Sequence, residues 1–370
     1  MPRTDDWGFD DCATSLAGCR YLLVVPIPFF QAADGSVWLD DLWHRDLVRH
    51  LDYLDDLTVL APREPLGDGS GLVMVEPGSG LRFRALPWGR SMAQAALRAP
   101  ATVLAALRAV RAADIVHSGV AGWPLPPGLF VNPLAVLLGK PLVIVVESAF
   151  WRVSGPGPHS RKDRLRADVV ERLARWSARK ASLAVFTHEG YRASLAPGQD
   201  ARSIVTPASW IDADDVLDMA QAAAAWQAKE KPVRVLLAAR LTEGKGISLL
   251  LDALSRPEAQ SLALAVDVIG DGPLRPAVAE AAARLGPDRL RLLDPVSYGA
   301  PFLTLMRGYH AALVPSITDE QPRILFDAAA QAVPVLASDT EGHRGLVDEG
   351  VNGWRFAPGD PAALLATLQR

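Results

Sequence analysis

Two cations and two carboxylates in the last third of the chain have the types and spacing to act on a charged ligand that bears hydroxyl groups. Arg240 and Lys245 flank a glycine-bearing loop in "LLAARLTEGKGISLLLDAL" (236–254), between a predicted strand ending at Ala238 and a predicted helix starting near Ile247. A guanidinium grips phosphate oxygens in pairs, and an ammonium serves as a point charge. Two such groups at a helix N-terminus suit a diphosphate, with a pair of solvated surface cations as the alternative. Asp319 and Asp327 stand eight positions apart in "DEQPRILFD" (319–327). Asp319 falls in a loop, and Asp327 falls one turn inside a helix otherwise fit for burial. A buried carboxylate is costly without a partner, and it only accepts hydrogen bonds. Ligand hydroxyls would satisfy Asp327, as would a neighbouring arginine. Between the two acids, the first-turn N–H groups near Arg323 and Ile324 can face an anion. "VIGDGPLRP" (268–276) adds Gly270, Asp271 and Gly272 in a tight strand-to-helix turn, where glycine permits a ligand's close approach or simply makes a turn.

The elements around these residues follow one pattern. Unalternated apolar runs of four to six residues recur at 21–25, 57–61, 114–117, 142–146 and 183–187, then at 233–238, 265–270, 290–293, 311–315 and 333–338. Such runs suit strands covered on both faces, and the alanine-rich helical stretches between them suit crossover units of parallel sheets. The pattern breaks at 211–232, a helical segment with polar ends. We take it as the join between two doubly wound Rossmann-like domains, 1–212 and 213–370. Neither half opens with a dinucleotide-binding glycine triplet. The first strand runs instead into "PIPFFQAADGS" (26–36), expected as a long loop at the ligand-binding edge of the sheet.

A length of 370 residues favours two domains, and 49% hydrophobic with 22% charged residues is ordinary for a globular protein. A net charge of −4 gives no pull toward nucleic acid. Cys12 and Cys19, both near the N-terminus, form neither a disulfide framework nor a spaced metal site, so a reducing compartment is expected. The acidic start carries no secretory pattern, and the longest apolar stretch, 131–146, is too interrupted to span a bilayer.

Taken in order, R-x4-K, "GDGP", "PS…DEQPRILFDAAAQAVPVLASD" and "GVNGWRF" resemble the large retaining glycosyltransferase family of the GT-B fold, glycosyl transferases group 1, marked by E-x7-E before "A…G.PV.AS". The resemblance is strong over 233–360 and loose before it. It implies an α/β protein with two doubly wound Rossmann-like parallel-sheet domains facing a cleft. The N-terminal domain would take the acceptor and the C-terminal domain a UDP- or GDP-type nucleotide-sugar donor. Carried over by position, Arg240 and Lys245 hold the diphosphate, Asp319 touches the donor sugar, Asp327 bonds the ribose, and the backbone at Arg323 and Ile324 receives phosphate or sugar. Both motif glutamates are aspartates here, Glu320 competes with Asp319 for the first place, and Gln331-Ala332 replaces a small-glycine pair.

In the first half, "ADIVHSG" puts His117 beside the place of a family histidine that contacts donor sugar, and a hydrogen-bonded strand-end histidine is the alternative. Glu147 and Trp151 in "VVESAFWR" (145–152) are acceptor-side candidates, Glu147 either orienting a hydroxyl or pairing with Arg152. The segment 161–180 holds eight basic and three acidic residues, with Leu165, Val169, Leu173 and Trp176 at helical spacing. That stripe is expected to pack on its own domain, with a basic face toward a membrane or a phosphorylated acceptor as the sharper reading. "IDADD" (211–215) reads as helix caps rather than a metal site, and no metal and no cofactor beyond the nucleotide-sugar co-substrate are expected. The resemblance therefore implies retaining sugar transfer to a hydroxyl acceptor, lipid- or phosphate-linked among the options, in a cytoplasmic protein or one peripheral on the inner membrane face. An epimerase or hydrolase, which would need His117 with Glu147, and a non-catalytic sugar-nucleotide binder are the alternatives.

Overall fold

The computed structural model describes residues 16, 18–69, 71–122, 124–152 and 160–370. Cys12, the acidic start and all but the last residue of "VSGPGPHS" (153–160) lie outside them. The chain divides into two compact units. One holds Met1–Val146 with Leu165–Phe186 and Tyr191–Val205, and the other Glu147–Arg164, Thr187–Gly190 and Thr206–Arg370. The anticipated join after residue 212 falls within the second.

The first unit is built on β1 (Tyr21–Val24), β2 (Phe29–Gln31), β3 (Val37–Asp40), β4 (Leu57–Pro65), β5 (Leu72–Met74), β6 (Leu81–Leu86), β7 (Ile115–Gly119), β8 (Leu142–Val146), β9 (Leu183–Phe186) and β10 (Ser203–Val205). They run in the order β10-β9-β8-β7-β1-β4-β2-β3-β5, with β6 also on β4. All four residues of β1 are buried, as a strand covered on both faces requires. The sheet is parallel except where β3 pairs antiparallel with β2 and β5. That exception corrects the reading of 26–36 as loop. Phe29 buries itself and starts β2, and the Asp34 carboxylate accepts from the Ser36 N–H (2.9 Å) and hydroxyl (2.7 Å), closing the turn into β3.

The helix Arg161–Lys180 corrects a second expectation. Its packed face is Val170, Ala174, Ser177 and Ala178, while Leu165 and Val169 are 66% and 48% exposed. Small side chains allow close packing on that face, where the Asn132 amide reaches the Ser177 hydroxyl at 3.0 Å. Among the described residues no helix is long and apolar enough to cross a membrane.

The second unit is a single parallel sheet of β11 (Val233–Ala238), β12 (Leu264–Ile269), β13 (Leu290–Leu293), β14 (Ala311–Val314), β15 (Val335–Ser338) and β16 (Gly353–Phe356), in the order β13-β12-β11-β14-β15-β16. Helices Ile247–Ser255, Arg275–Leu285 and Pro361–Leu368 contribute to the apolar cluster on one face, and Ala300–Arg307 and Ile324–Ala330 to that on the other. Within this core Asp267 on β12 is fully buried. It takes hydrogen bonds from Arg234, Arg291 and the Tyr309 hydroxyl, the partners such a charge requires. The strand order reverses between β11 and β14. In open α/β sheets the crevice beyond the carboxyl ends of two such strands is where ligands bind.

Candidate functional site

At that reversal a pocket of about 170 Å³ is lined by Ala238 at the end of β11, by Ala239 and Lys245 beyond it, by Pro315 and Ser316 beyond β14, and by Pro322, Arg323 and Ile324. Sequence reasoning assigned Lys245, Arg323 and Ile324 to a ligand, and the fold brings these three to one place. Lys245 ends a short turn, Glu243–Lys245, and Gly246 follows in the left-handed region (φ +73°). A Cβ on Gly246 would fall 1.9 Å from the Pro315 carbonyl oxygen, so only glycine lets this turn seat against the end of β14. Arg240 is exposed beyond the end of β11.

Glu320, the lesser candidate for the first motif acid, is the one that meets the lysine. Lys245 Nζ lies 2.6 Å from its Oε2, and the Ser148 hydroxyl donates to its Oε1 at 3.2 Å. Burial alone would raise the Glu320 carboxyl. Lys245, the Ser148 hydrogen bond and Arg240 outweigh it and hold the group below its ordinary value. Asp319 bears instead on His188, through its backbone and its charge, and on His343, through its charge. His188 is buried, and burial lowers its imidazole against the opposing pull of the Asp319 backbone and of the Asp319 and Glu341 charges. Sequence reasoning passed over both histidines. For His188 the available signal was a polar pair directly after an apolar run, "LAVFTH" (183–188); His343, five residues past the end of its strand, offered none.

Asp327 sits one turn inside its helix, buried, with the Tyr298 hydroxyl donating to Oδ1 at 2.8 Å. Its partner is therefore a phenol rather than an arginine. Burial raises its carboxyl to about 6, against the pull of the Tyr298 bond and the Arg323 charge. Arg323 lays its guanidinium 3.8 Å from the centre of the Trp210 ring, and Trp210 meets Tyr298 edge-on at 5.2 Å.

Gly270 and Gly272 have φ of +148° and +149°, and what approaches them is the chain itself. A Cβ on Gly270 would lie 1.9 Å from the Ala239 carbonyl oxygen, and one on Gly272 2.7 Å from that of Leu241. The Asp271 carbonyl accepts the Leu241 N–H at 2.8 Å, so this turn braces the segment that carries Arg240. Gln331 is structural as well. Its carbonyl takes two Arg307 hydrogen bonds (3.0 and 2.8 Å), and its amide donates to the Asp215 carbonyl at 2.7 Å. Ala332, where the resemblance expects glycine, has φ +53°.

Of the acceptor-side candidates, Glu147 is exposed, with the Thr187 hydroxyl on its carbonyl at 3.4 Å, and Trp151 is buried edge-on to Phe150. His117 belongs to the first unit, where the Tyr21 hydroxyl lies 3.1 Å from its Nδ1. Burial, with the charge of His50, lowers its imidazole to about 4. "IDADD" folds as the expected cap, Asp215 accepting the Asp212 N–H at 3.0 Å. Among the described residues no three His, Cys, Asp or Glu side chains group as metal ligands.

Two doubly wound α/β units, with polar loops at the strand reversal of the second, define a GT-B fold. Residues 232–370 match the family described as glycosyl transferases group 1. Over 152 residues the chain is 31% identical to the amylovoran biosynthesis glycosyltransferase AmsK of Erwinia amylovora, covering 39% of this chain and 37% of that protein. The chain thus spans little more than a third of the curated relatives it matches. Among solved structures it is similar to Anabaena Alr3699/HepE in complex with UDP and glucose (TM-score 0.62, 17% identity, 95% of this chain and 89% of that one). It is also similar to sucrose-phosphate synthase from Thermosynechococcus elongatus (TM-score 0.66, 16% identity, 95% and 89%). At such identities the likeness is one of fold.

Proposed function

We propose that this chain is a glycosyltransferase that moves a sugar from a UDP- or GDP-type donor to a hydroxyl acceptor, with retention at the anomeric carbon, in the assembly of a polysaccharide, glycolipid or related product. The observation that carries the reading is the placement of Lys245 and Glu320 at the strand reversal, with Arg240 close enough to act on Glu320, inside the segment that matches the family. Breaking an anomeric bond to a diphosphate builds negative charge on the leaving group. Cations fixed in advance at that place lower the barrier, because they stabilise the transition state more than the ground state. On this reading the donor's phosphates take Lys245 from Glu320, which then faces the sugar hydroxyls beside Asp319. Asp327 with Tyr298 serves the ribose. The two cations supply the countercharge that a metal would otherwise bring, so we expect transfer without one. The complexes of HepE with UDP and with UDP-glucose support a UDP-type donor as the first to test.

For the acceptor, Glu147 and Trp151 are the proposed contacts and His117 a proposed catalytic partner. A lipid- or phosphate-linked acceptor at a membrane surface fits the exposed Leu165 and Val169 beside the cationic start of their helix. The test is calorimetric titration with UDP, GDP and their sugars, followed by transfer assays with and without chelator. Binding of one nucleotide series, lost in Arg240→Ala and Lys245→Ala, is the expected result. Binding that survives both substitutions would contradict the diphosphate assignment.

A further inference from the structure

The chain runs into β11 through residues 229–232 and into β14 through residues 308–310, and both segments line a cavity of about 420 Å³. All of its lining belongs to the second unit. The pocket at the strand reversal stands at the other ends of the same two strands, roughly 20 Å away along the six residues of β11.

Four side chains of this cavity are cations, Lys229, Lys231, Arg234 and Arg307, and one, Glu230, is acidic. Arg234 is committed to Asp267, which it shares with Arg291. Among the described residues the other three cations have no carboxylate in contact. Lys229 Nζ donates to the Tyr309 carbonyl and stands 4.4 Å from the centre of the Trp226 ring. Arg307 gives Nε and Nη2 to the Gln331 side-chain oxygen and keeps Nη1 unused. Lys231 is exposed. The backbone draws these groups together. Tyr309, which holds Lys229, comes two residues after Arg307. His310 accepts the Arg234 N–H at Nδ1 (3.1 Å) and donates its own N–H to the Arg234 carbonyl (2.9 Å).

The protein supplies too little countercharge. The C-terminal ends of helices Met219–Gln227 and Ala300–Arg307 border the cavity, and each contributes about half a negative charge. With Glu230 they balance two of the three cations, so a positive surplus remains. Burial meanwhile lowers the Lys229 ammonium to about 8, the response of a cation short of a partner.

We propose that this cavity is a second anion site, which takes a phosphate monoester, either free or as a lipid headgroup. Such a group carries close to two negative charges at neutral pH, and its oxygens accept from the free Nη1 of Arg307 and from the ammonium groups of Lys229 and Lys231. The volume suits a phosphate with a small organic body.

Calorimetry with glycerol 3-phosphate, and flotation with phosphatidylcholine vesicles with and without phosphatidic acid, test the site and separate the two sources. Saturable binding of glycerol 3-phosphate marks a free ligand, and binding only to vesicles that contain phosphatidic acid marks a headgroup. Either should weaken about threefold in Lys231→Gln, which has no protein contact to lose, and about tenfold in Lys229→Gln. The advantage of wild type over Lys229→Gln should shrink as pH rises from 7 to 9, because Lys229 then gives up its proton. Arg240→Ala should bind as wild type does, which sets this site apart from the one at the strand reversal. No binding of either probe, binding that survives both lysine substitutions, or binding lost in Arg240→Ala would overturn the proposal. Should Lys229→Gln melt early, Lys231→Gln decides.

Discussion

The two ends of "DEQPRILFD" hold carboxylates seven residues apart in the same unit, and their surroundings treat them in opposite ways. Glu320, in the loop, faces a lysine and a serine hydroxyl, and its carboxyl is held down. Asp327, in the helix, faces a phenol, and its carboxyl is pushed up to about 6. Burial disfavours the charged form at both places, so what separates them is whether a full positive charge stands in contact. The loop end is therefore committed to charge. The helix end changes charge just below neutral pH, and a ligand that donates hydrogen bonds would favour its charged form.

The largest expected effect comes from breaking the charged end. Lys245→Ala leaves the mostly buried Glu320 without its ammonium and is expected to cost about 2–3 kcal/mol, read by denaturant unfolding. Lys245→Met with Glu320→Leu, which removes both charges, should recover most of that loss. If the double variant is no more stable than the single one, the pairing contributes less than its geometry implies.

At the other end the effect depends on pH. The folded pKa of Asp327 lies above its ordinary 3.8, so the native state holds the proton more tightly than the unfolded chain. Stability at this residue is full below pH 4, falls as pH rises toward 6, and stays low above it, a change on the order of 2–3 kcal/mol. Asp327→Asn should flatten that slope and leave the protein more stable at pH 7 than wild type, as unfolding curves from pH 4 to 8 would reveal. A slope unchanged by the substitution would place the titration elsewhere. Tyr298→Phe is the next smaller test. Losing its hydrogen bond should cost about 1.5 kcal/mol at pH 7 and move the Asp327 carboxyl higher still, visible by carboxyl NMR.

The smallest expected effect concerns the turn after the same helix. Ala332 occupies the left-handed region, which disfavours any residue with a Cβ. Ala332→Gly should stabilise by up to about 1 kcal/mol, part of the relief being offset by the freer unfolded chain, as a rise in Tm would register.

Ten strands of this fold are legible as unalternated apolar runs, because strands buried on both faces need apolar residues at every position. Those that escape are short or lie outside the central parallel order. Phe29–Gln31 hides behind prolines, and Leu81–Leu86 alternates as "LRFRAL". At the site, Lys245 and Asp327 are legible from charge set against apolar surroundings. The order of Asp319 and Glu320 is not, because adjacent residues in a loop point apart and only the folded backbone decides which one meets Lys245. Tyr298 and His343 were out of reach for the same reason. Each acts on the site through contacts between segments that the sequence does not place side by side, Tyr298 from 29 residues before Asp327.

The central claim is that Arg240 and Lys245 form the anion-binding half of a nucleotide-sugar site. Calorimetric titration of UDP and GDP into wild type and Arg240→Ala at neutral pH tests it most directly. Micromolar binding of one nucleotide by wild type, weakened tenfold or more in the variant at unchanged Tm, is the result expected here. Binding that the substitution leaves intact, or no binding of either nucleotide to wild type, would contradict the account.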